Sequence, residues 1–168
     1  VQYDAYGNPI TRNITAFRRD GLTEAGRTVV DYSAAIFDHH RKVVGGQVRS
    51  TATPSDGAAR IQSVRDYRGS HRVAMKHVSL LNAAAGSPMS TQRTIYRPDG
   101  TLAEVTVQTG EKSASVTQYA PDGKTVIKVY SVDYSAANVV GGGVTGGSVA
   151  IQAQSGNQRP LSSSTLNY

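Results

Sequence analysis

The chain has 168 residues, of which 38% are hydrophobic and only 18% are charged, and its formal net charge is +6. It contains no Cys, which excludes disulfide bonds, thiolate chemistry and cysteine-based metal sites. Gly, Ser, Thr, Gln and Asn take the place of apolar residues, which is typical of a turn-rich β protein, so we predict an all-β fold.

A seven-residue phrase recurs along the chain and predicts hairpin turns. It reads TAFRRDG at 15–21, TIYRPDG at 94–100 and TQYAPDG at 117–123, and VQYDAYG at 1–7 and TATPSDG at 51–57 are looser copies. In the clear copies, Thr and an aromatic residue share one strand face, and Asp-Gly favours a tight turn because Gly adopts positive φ. The predicted structural turns are Asp20, Gly21, Asp56, Gly57, Asp99, Gly100, Asp122 and Gly123.

Alternating runs around these turns predict strands. PITRNITAF, RTVVDYSAAIF and KVVGGQVRSTAT precede residue 57, TLAEVTV follows Gly100, and KTVIKVYSV follows Gly123. The segment HRVAMKHVSLLNAAAG at 71–86 has near-helical spacing and a Gly stop, so it predicts either one short helix or a pair of strands. The expected architecture is repeated antiparallel hairpins in a twisted sheet, a sandwich or a solenoid-like array, with at most one short helix.

Part of the chain is duplicated. Residues 15–35 align without a gap to residues 117–137 at an offset of 102 residues, and both segments contain VDYSAA. VVGG follows at 43–46 and at 139–142, which implies a six-residue insertion in the first copy. Agreement in this order over so many positions indicates a repeated structural unit.

The duplication sets the predicted domain organisation. Two units of about 15–48 and 117–144 belong to one repeat-built β domain over 1–157, because stacked hairpins bury a surface that a single hairpin cannot. The segment 158–168, which ends in RPLSSSTLNY, is predicted to be a polar tail outside that domain.

Three segments, YDAYGNPITRN, YRPDGTLAEVT and YAPDGKTVIKV, resemble the YD repeats of Rhs-type and teneurin-like secreted proteins. YDAYGN has the full Tyr-Asp-x-x-Gly form, and the other two keep Tyr, Asp-Gly and the following strand. The resemblance implies an extracellular, β-rich structural protein of bacterial origin, and proteins of this kind are often one part of a very long polypeptide. We therefore expect an extracellular or cell-surface location.

One uncharged segment near the carboxyl end has two interpretations. SVAIQAQ alternates small or branched apolar residues with polar ones, and it has no charge that would discourage strand pairing. It is either an internal strand between glycine-rich turns or a polymerisation strand that pairs with a neighbouring subunit. The candidate polymerisation strand comprises Ser148, Val149, Ala150, Ile151, Gln152 and Ala153.

Candidate catalytic or metal-binding residues are few. The sequence DHH at 38–40 resembles the signature of a phosphoesterase superfamily, but the residues before it have the pattern of hairpins, so we expect a polar turn. His39 and His40 would point to opposite faces if they lay on a strand, and so would not chelate one ion together. Asp31 and Asp133 share a position because the unit is duplicated. We predict no catalytic residue, no metal and no cofactor.

Two hypotheses of function remain. The first is a non-enzymatic extracellular structural protein, a subunit or segment of a surface fibre, a filament or a large repeat adhesin, that self-associates through strand edges. The second is a β module that binds a carbohydrate or another anionic surface, since the chain is basic. The dispersed Lys and Arg residues predict no specific nucleic-acid binding, and no apolar run is long enough to predict a membrane span.

Overall fold

The structure is a computed structural model that describes residues 1–57, 59–69, 71–82, 88–110, 112–140 and 143–168. These residues form fourteen β-strands and no helix, which confirms the predicted all-β class. All strand pairs for which a register is defined are antiparallel. The chain forms two compact units, Val1–Thr91 and Gln92–Tyr168, where the sequence predicts one domain.

The first unit is a sheet with the strand order β1-β2-β3-β5-β6-β7, and β4 pairs with the beginning of β5. Neighbouring strands of this sheet follow one another closely along the chain, as expected of stacked hairpins. The strands are β1 Gln2–Tyr3, β2 Pro9–Phe17, β3 Glu24–Asp31, β4 Ala35–Phe37, β5 Val43–Pro54, β6 Ala59–Arg68 and β7 Val73–Asn82.

The second unit has the order β9-β10-β11-β13-β14, and β12 pairs with the beginning of β13. A further strand, β8 at Pro88–Tyr96, runs across the boundary between the units and leads into β9. The remaining strands are β9 Leu102–Thr109, β10 Ser113–Tyr119, β11 Val126–Asp133, β12 Ala137–Val140, β13 Gly143–Ser155 and β14 Pro160–Asn167.

The segment that could be a helix or strands contains a strand. Val73–Asn82 is β7, and it pairs with β6 from Ala59↔Asn82 to Tyr67↔Val73. Nearly all of its side chains are half-buried, on both faces of the strand, so no single helical stripe is needed. The residues 83–87, which include the predicted Gly stop, lie outside the described part of the chain.

The same hairpin array occurs in both units, and it is longer than the sequence comparison indicates. The β2–β3 register Asn13↔Val29 recurs as Ser115↔Ser131 in β10–β11, at the offset of 102 residues. The β3–β5 register likewise recurs in β11–β13, and the β5–β6 register recurs in β13–β14. The described residues within 10–67 and 112–168 are therefore two copies of one structural unit.

The predicted match of VVGG at 43–46 with VVGG at 139–142 is wrong. Gly46 pairs with Ala35 in the first unit, and Gly147 pairs with the equivalent Ala137 in the second. The structural counterpart of VVGG is thus VTGG at 144–147, and the second copy is one residue shorter with no six-residue insertion in the first. Gly141 and Gly142, part of the predicted match, lie outside the described residues.

The segment predicted as a polar tail, 158–168, contains β14. This strand pairs with β13 from Ala153↔Ser162 to Ser148↔Asn167, as β6 pairs with β5 from Ala52↔Ile61 to Gln47↔Asp66. Its Ser- and Thr-rich sequence has little apolar character, so periodicity alone gives no strand signal. The unpaired backbone of β13 supplies the hydrogen bonds that make this segment a strand.

The core of each unit is thin. Among the described residues, the buried hydrophobic side chains are Val48, Val149 and Ala153, which are 5%, 3% and 3% exposed. Val48 and Val149 occupy equivalent positions, each two residues after a Gly-Gly pair, and they pair with Arg65 and Leu166 respectively. Because so little apolar surface is buried, the structure of each unit depends largely on backbone hydrogen bonds between strands and on the capped turns.

Candidate functional site

The Asp-Gly turns of the duplicated unit are closed by the same hydrogen bonds in both copies. In the second copy, the Gly123 N–H donates to Ala120 O at 2.9 Å, and the N–H groups of Lys124 and Thr125 each donate to Asp122 Oδ1 at 2.8 Å. The Thr125 hydroxyl donates to the second carboxylate oxygen. Asp122 thus stabilises the turn by accepting bonds from groups that would otherwise lack protein partners.

The first copy repeats this arrangement at Asp20. Its Oδ1 accepts the N–H groups of Leu22 and Thr23 at 2.9 Å each, and its Oδ2 accepts the Thr23 hydroxyl at 2.5 Å. Gly21 closes the turn at φ +70° by donating its N–H to Arg18 O at 2.9 Å. The recurring Thr three residues after Asp is part of this cap, although the sequence comparison gives it no role.

The capping hydrogen bonds lower the pKa of the turn carboxyls. For Asp122 the Thr125 hydroxyl has the largest effect, followed by the backbone N–H groups of Lys124 and Thr125, and the pKa falls to about 2. Hydrogen bonds from neighbouring turn residues also lower the pKa of five further carboxyls, because they favour the ionised form. These residues are Asp4, Asp20, Asp31, Asp38 and Asp133.

We predict that Asp122→Ala lowers the melting temperature at pH 7 and that this difference disappears in acid. The pKa of Asp122 is lower in the folded chain than its unfolded value of 3.8, so the ionised carboxyl stabilises the fold at pH values above 3.8. This stabilisation is lost as the pH falls through about 2. Thermal unfolding by circular dichroism at pH 7, 4 and 2 measures the difference, and Asp20→Ala serves as the matched variant. An Asp122→Ala deficit of equal size at pH 2 and pH 7 would contradict a charged cap.

The remaining predicted turns lie at hairpins too. Gly57 and Gly100 have positive φ of +68° and +86°, and their N–H groups donate to Pro54 O at 3.1 Å and Arg97 O at 2.9 Å. Asp99 accepts the N–H and the hydroxyl of Thr101 at 2.8 and 2.7 Å. The structure therefore places all four Asp-Gly pairs at chain reversals.

Arg97 has a structural role that the sequence does not reveal. Its guanidinium Nη1 donates to Leu102 O and its Nη2 donates to Tyr119 O, each at 2.5 Å. The side chain is half-buried and links the β8–β9 turn to the end of β10. In the first copy of the phrase, Arg18 occupies the same place but is exposed.

We predict that Arg97→Ala lowers the free energy of unfolding by about 2–3 kcal/mol, because two charged-donor hydrogen bonds to backbone carbonyls are lost. Arg18→Ala, at the matching place in the phrase, is the control and should change it by less than about 0.5 kcal/mol. Urea unfolding followed by far-UV circular dichroism measures both. Equal effects of the two substitutions would show that the bonds of Arg97 contribute nothing.

The DHH segment is a capped hairpin turn, as predicted. The Asp38 N–H donates to Lys42 O at 2.9 Å, and Asp38 Oδ1 accepts the N–H groups of His40 and Lys42 at 2.9 and 2.8 Å. Asp4 makes the same set of bonds in the turn DAYGN, with the N–H groups of Tyr6 and Asn8. The hydrogen bonds of the hairpin turn thus explain why an Asp stands at position 38, where the phosphoesterase signature would use it as a metal ligand.

His39 and His40 do not point apart as a strand would require. Their ring centroids are 3.8 Å apart because both residues lie in the expected turn, so the argument from opposite strand faces does not apply to them. His71 Nε2 lies 3.6 Å from Asp38 Oδ2. Within the described residues, no group of three or more His, Asp or Glu side chains is placed to hold a metal ion.

Asp31 and Asp133 each cap a turn within their own unit. Asp31 Oδ1 accepts the Ser33 N–H and Asp133 Oδ1 accepts the Ser135 N–H, both at 2.8 Å. These two turns carry the shared VDYSAA sequence, whose Asp-x-Ser spacing provides the cap. Their equivalence follows from the duplication of the unit.

The candidate polymerisation strand, 148–153, is an internal strand. Its residues lie in β13, which pairs with β14 from Ser148↔Asn167 onwards and with β11 from Asp133↔Ala150 onwards. A strand whose two edges are both paired cannot take up another strand without losing a partner. Of the two interpretations, the structure thus agrees with the internal strand, and the free edge lies one strand further along, on β14.

The outer edge of β14 has no pairing among the described residues, and all eight of its residues are exposed. In the first unit, the equivalent strand β6 is covered by β7, and several of its side chains are half-buried. Tyr67 is half-buried there, whereas its counterpart Tyr168 is 62% exposed. The greater exposure of β14 thus follows from the lack of a second neighbouring strand among the described residues.

The other partly free edge belongs to β2. The short strand β1 pairs with it only at Gln2↔Thr11 and Tyr3↔Pro9, whereas β9 covers the equivalent β10 from Ser113↔Thr109 to Gln118↔Glu104. Most of β2 is accordingly exposed, and most of β10 is half-buried. The exposure of these equivalent strands thus depends on how much of each strand edge is paired.

No protein-family model matches the chain, and no curated protein matches it either. In the described part of the chain, no helix has the length and apolar character required to cross a membrane.

Proposed function

We propose that this protein is a non-enzymatic structural module of an extracellular fibre or large surface repeat protein, similar in kind to YD-repeat proteins. One observation carries the proposal: a single hairpin array is built twice, with the same register and the same capped turns. Repetition of a unit that contacts its neighbours along one direction is the usual construction of extended proteins.

The distribution of polar groups supports this proposal. The aspartates with lowered pKa all serve as turn caps, and no catalytic arrangement of their carboxylates is needed to explain them. Exposed apolar side chains are spread along the strands, for example Ile14, Ile127 and Leu166. Capped turns and long ladders of paired strands define an extended surface, which is what a shape-forming role requires.

Negative-stain microscopy and sedimentation velocity of the purified chain test the proposal over a range of protein concentrations. We expect concentration-dependent assembly into regular threads. Gly147→Ala, which disturbs the second hairpin array, serves as the control and should form none.

Monodisperse monomers that bind to a glycan array would instead support the second hypothesis, a carbohydrate-binding β module. This outcome would overturn the structural proposal, since binding would then need no assembly. The chain has a net charge of +6, so array binding must be compared at about 0.15 and 0.5 M salt to remove attraction due to charge alone.

A further inference from the structure

We propose that the first unit binds an acidic saccharide in a trough on one face of its sheet. The trough has a volume of about 320 Å³ and is formed by β2, β3, β5 and β6, with Tyr32, Ser50, Ser63, Arg65 and Tyr67 among its lining residues. We call it the Tyr32–Tyr67 trough. Small-molecule sites measure about 300–1,000 Å³, so this one suits a single sugar ring. The inference goes beyond the proposed structural function and does not depend on assembly.

The strand registers place the lining side chains on one face of the sheet. Ser50 pairs with Val30 of β3 and with Ser63 of β6, and directly paired residues of antiparallel strands point to the same face. Val48, two residues before Ser50, pairs with Arg65 and is 5% exposed. The trough therefore has a buried apolar floor at Val48, with polar side chains beside it.

Two cations that lack ion partners lie directly opposite each other on this face. Arg65 of β6 pairs with Lys76 of β7, which is half-buried. In the part of the chain that the structure describes, neither side chain makes an ion pair or a hydrogen bond. The neighbouring Asp66 lies opposite Gln47 on the other face of the sheet, so it does not offset them.

The opposed cations indicate an anionic ligand. Like charges at directly opposed positions destabilise a sheet, because the two side chains are close together. An anionic group bound between Arg65 and Lys76 would replace this repulsion by attraction. A carboxylate fits this place well, since the guanidinium of Arg donates two parallel hydrogen bonds to it.

Hydroxyl groups and tyrosine rings next to Arg65 match the rest of a sugar. Ser50 Oγ and Ser63 Oγ are 2.7 Å apart, so one hydroxyl donates to the other, and the pair keeps one hydrogen and several lone pairs for a ligand. The ring of Tyr32 contacts Phe37 with 6.1 Å between the ring centroids, which holds it in place. The half-buried Tyr32 and Tyr67 each offer an apolar ring and a hydroxyl, as a sugar ring requires.

The second unit shows that the fold does not require these polar groups. The positions equivalent to Ser50 and Arg65 hold Ile151 and Leu166, in the same registers between the equivalent strands. Val149, which pairs with Leu166, is 3% exposed, so apolar side chains are sufficient to build this face. The polar set of the first unit thus needs another explanation, which a ligand provides.

The positive charge of the chain is concentrated in the unit that contains the trough. The first unit has 12 Lys and Arg residues against 7 Asp and Glu residues, whereas the second unit has 6 against 5. Such an excess attracts an anionic ligand to the first unit. A nucleic acid is the less suitable anion, because its backbone requires a row of cations along the strand and the trough contains hydroxyls between its tyrosines and Arg65.

The test measures binding of trigalacturonic acid, a short uronic-acid oligomer, to the full chain at about 0.15 M salt. Its methyl ester, which has the same sugar rings without the negative charges, is the ligand control. Arg65→Leu introduces the residue that the second unit carries at Leu166. Arg60→Leu is the matched control, because Arg60 changes the net charge equally and pairs with Leu81 on the opposite face of the same strands. Calorimetry gives the affinities, and amide spectra give the binding site and establish that each variant is folded.

We expect trigalacturonic acid to shift the amide signals of residues 48–50 and 63–67, and the methyl ester to bind at least about tenfold more weakly. Arg65→Leu should weaken binding at least about tenfold and Arg60→Leu by less than about twofold. If Arg65→Leu does not fold, Lys76→Gln takes its place, because it removes the opposed charge and keeps a polar side chain of similar length.

Equal losses in Arg65→Leu and Arg60→Leu would overturn the proposal, because attraction due to net charge would then explain the binding. Signals that shift elsewhere, or not at all, would overturn it too. A single-stranded DNA trimer that binds more tightly than trigalacturonic acid at the same residues would overturn the saccharide as the ligand.

Sedimentation velocity of the same samples separates this proposal from the structural function. Threads that do not bind trigalacturonic acid would overturn the trough as a binding site and leave the structural function standing. Monomers that bind it through Arg65 would support the trough and overturn the structural function.

Discussion

Replacing Gly46 or Gly147 by Ala is expected to unfold the unit that contains it under conditions in which the unchanged chain is folded. Gly46 has φ +70°, and a Cβ there would lie 2.0 Å from Ala34 O. Gly147 has φ +81°, and its Cβ would lie 2.2 Å from Ala136 O. We expect a loss of at least about 3 kcal/mol for each, because left-handed strain adds to a backbone clash that no side-chain movement relieves.

Gly57→Ala is the matched control, because Gly57 has φ +68° but no atom within 4 Å of the added Cβ. This substitution should lower the free energy of unfolding by only about 1–2 kcal/mol, the cost of the left-handed backbone conformation alone. Urea unfolding gives the free energies, and amide spectra show which unit is lost. Similar costs at Gly46 and Gly57 would show that the close approach to Ala34 does not exist.

Removal of residues 160–168 is expected to destabilise the second unit by at least about 3 kcal/mol. The deletion takes away the whole ladder between β13 and β14, and it uncovers the buried side chains of Val149 and Ala153. Thermal unfolding of the shortened chain should show an early transition that the full chain lacks.

Deletion of residues 1–3 is the control for this experiment, because β1 pairs with β2 at only two positions. It should change the free energy of unfolding by less than about 1 kcal/mol. If the longer deletion were equally harmless, residues 160–168 would be the polar tail that their composition suggests, and the equivalence of β14 with β6 would be wrong.

The turns and the strand class could be predicted from the sequence because their causes are local. Asp-Gly at positions such as Asp20 and Asp122 specifies a reversal by its own side-chain hydrogen bonds and the positive φ of Gly. The alternation of KTVIKVYSV specifies a strand by its period. Both signals need only a few neighbouring residues, and the all-β fold follows from their frequency.

The true extent of the duplication could not be predicted because it depends on pairing between distant residues. The sequence VVGG at 139–142 is identical to the sequence at 43–46, whereas VTGG at 144–147 differs from it at one position. The strand pairing nevertheless makes VTGG the counterpart, because Gly147 is the glycine that closely approaches Ala136 O. Similarly, β14 is a strand because β13 offers it a partner. Its own sequence shows little similarity to β6 beyond the final Tyr.

The internal position of the candidate polymerisation strand could not be predicted for the same reason. The uncharged alternation of residues 148–153 correctly indicates a strand that pairs readily, but it does not say how many partners that strand already has. Only the sheet order shows that β13 is internal and that β14 forms the edge. Edge position is a property of topology, and single-strand patterns do not contain it.

The most direct test of the repeated hairpin array is a nuclear Overhauser measurement across β13 and β14. Close Hα–Hα contacts are expected between Ala150 and Thr165, matched in the first unit by Arg49 and Val64. Random-coil shifts for residues 160–168, with no contact to β13, would contradict the account that this chain contains two copies of one structural unit.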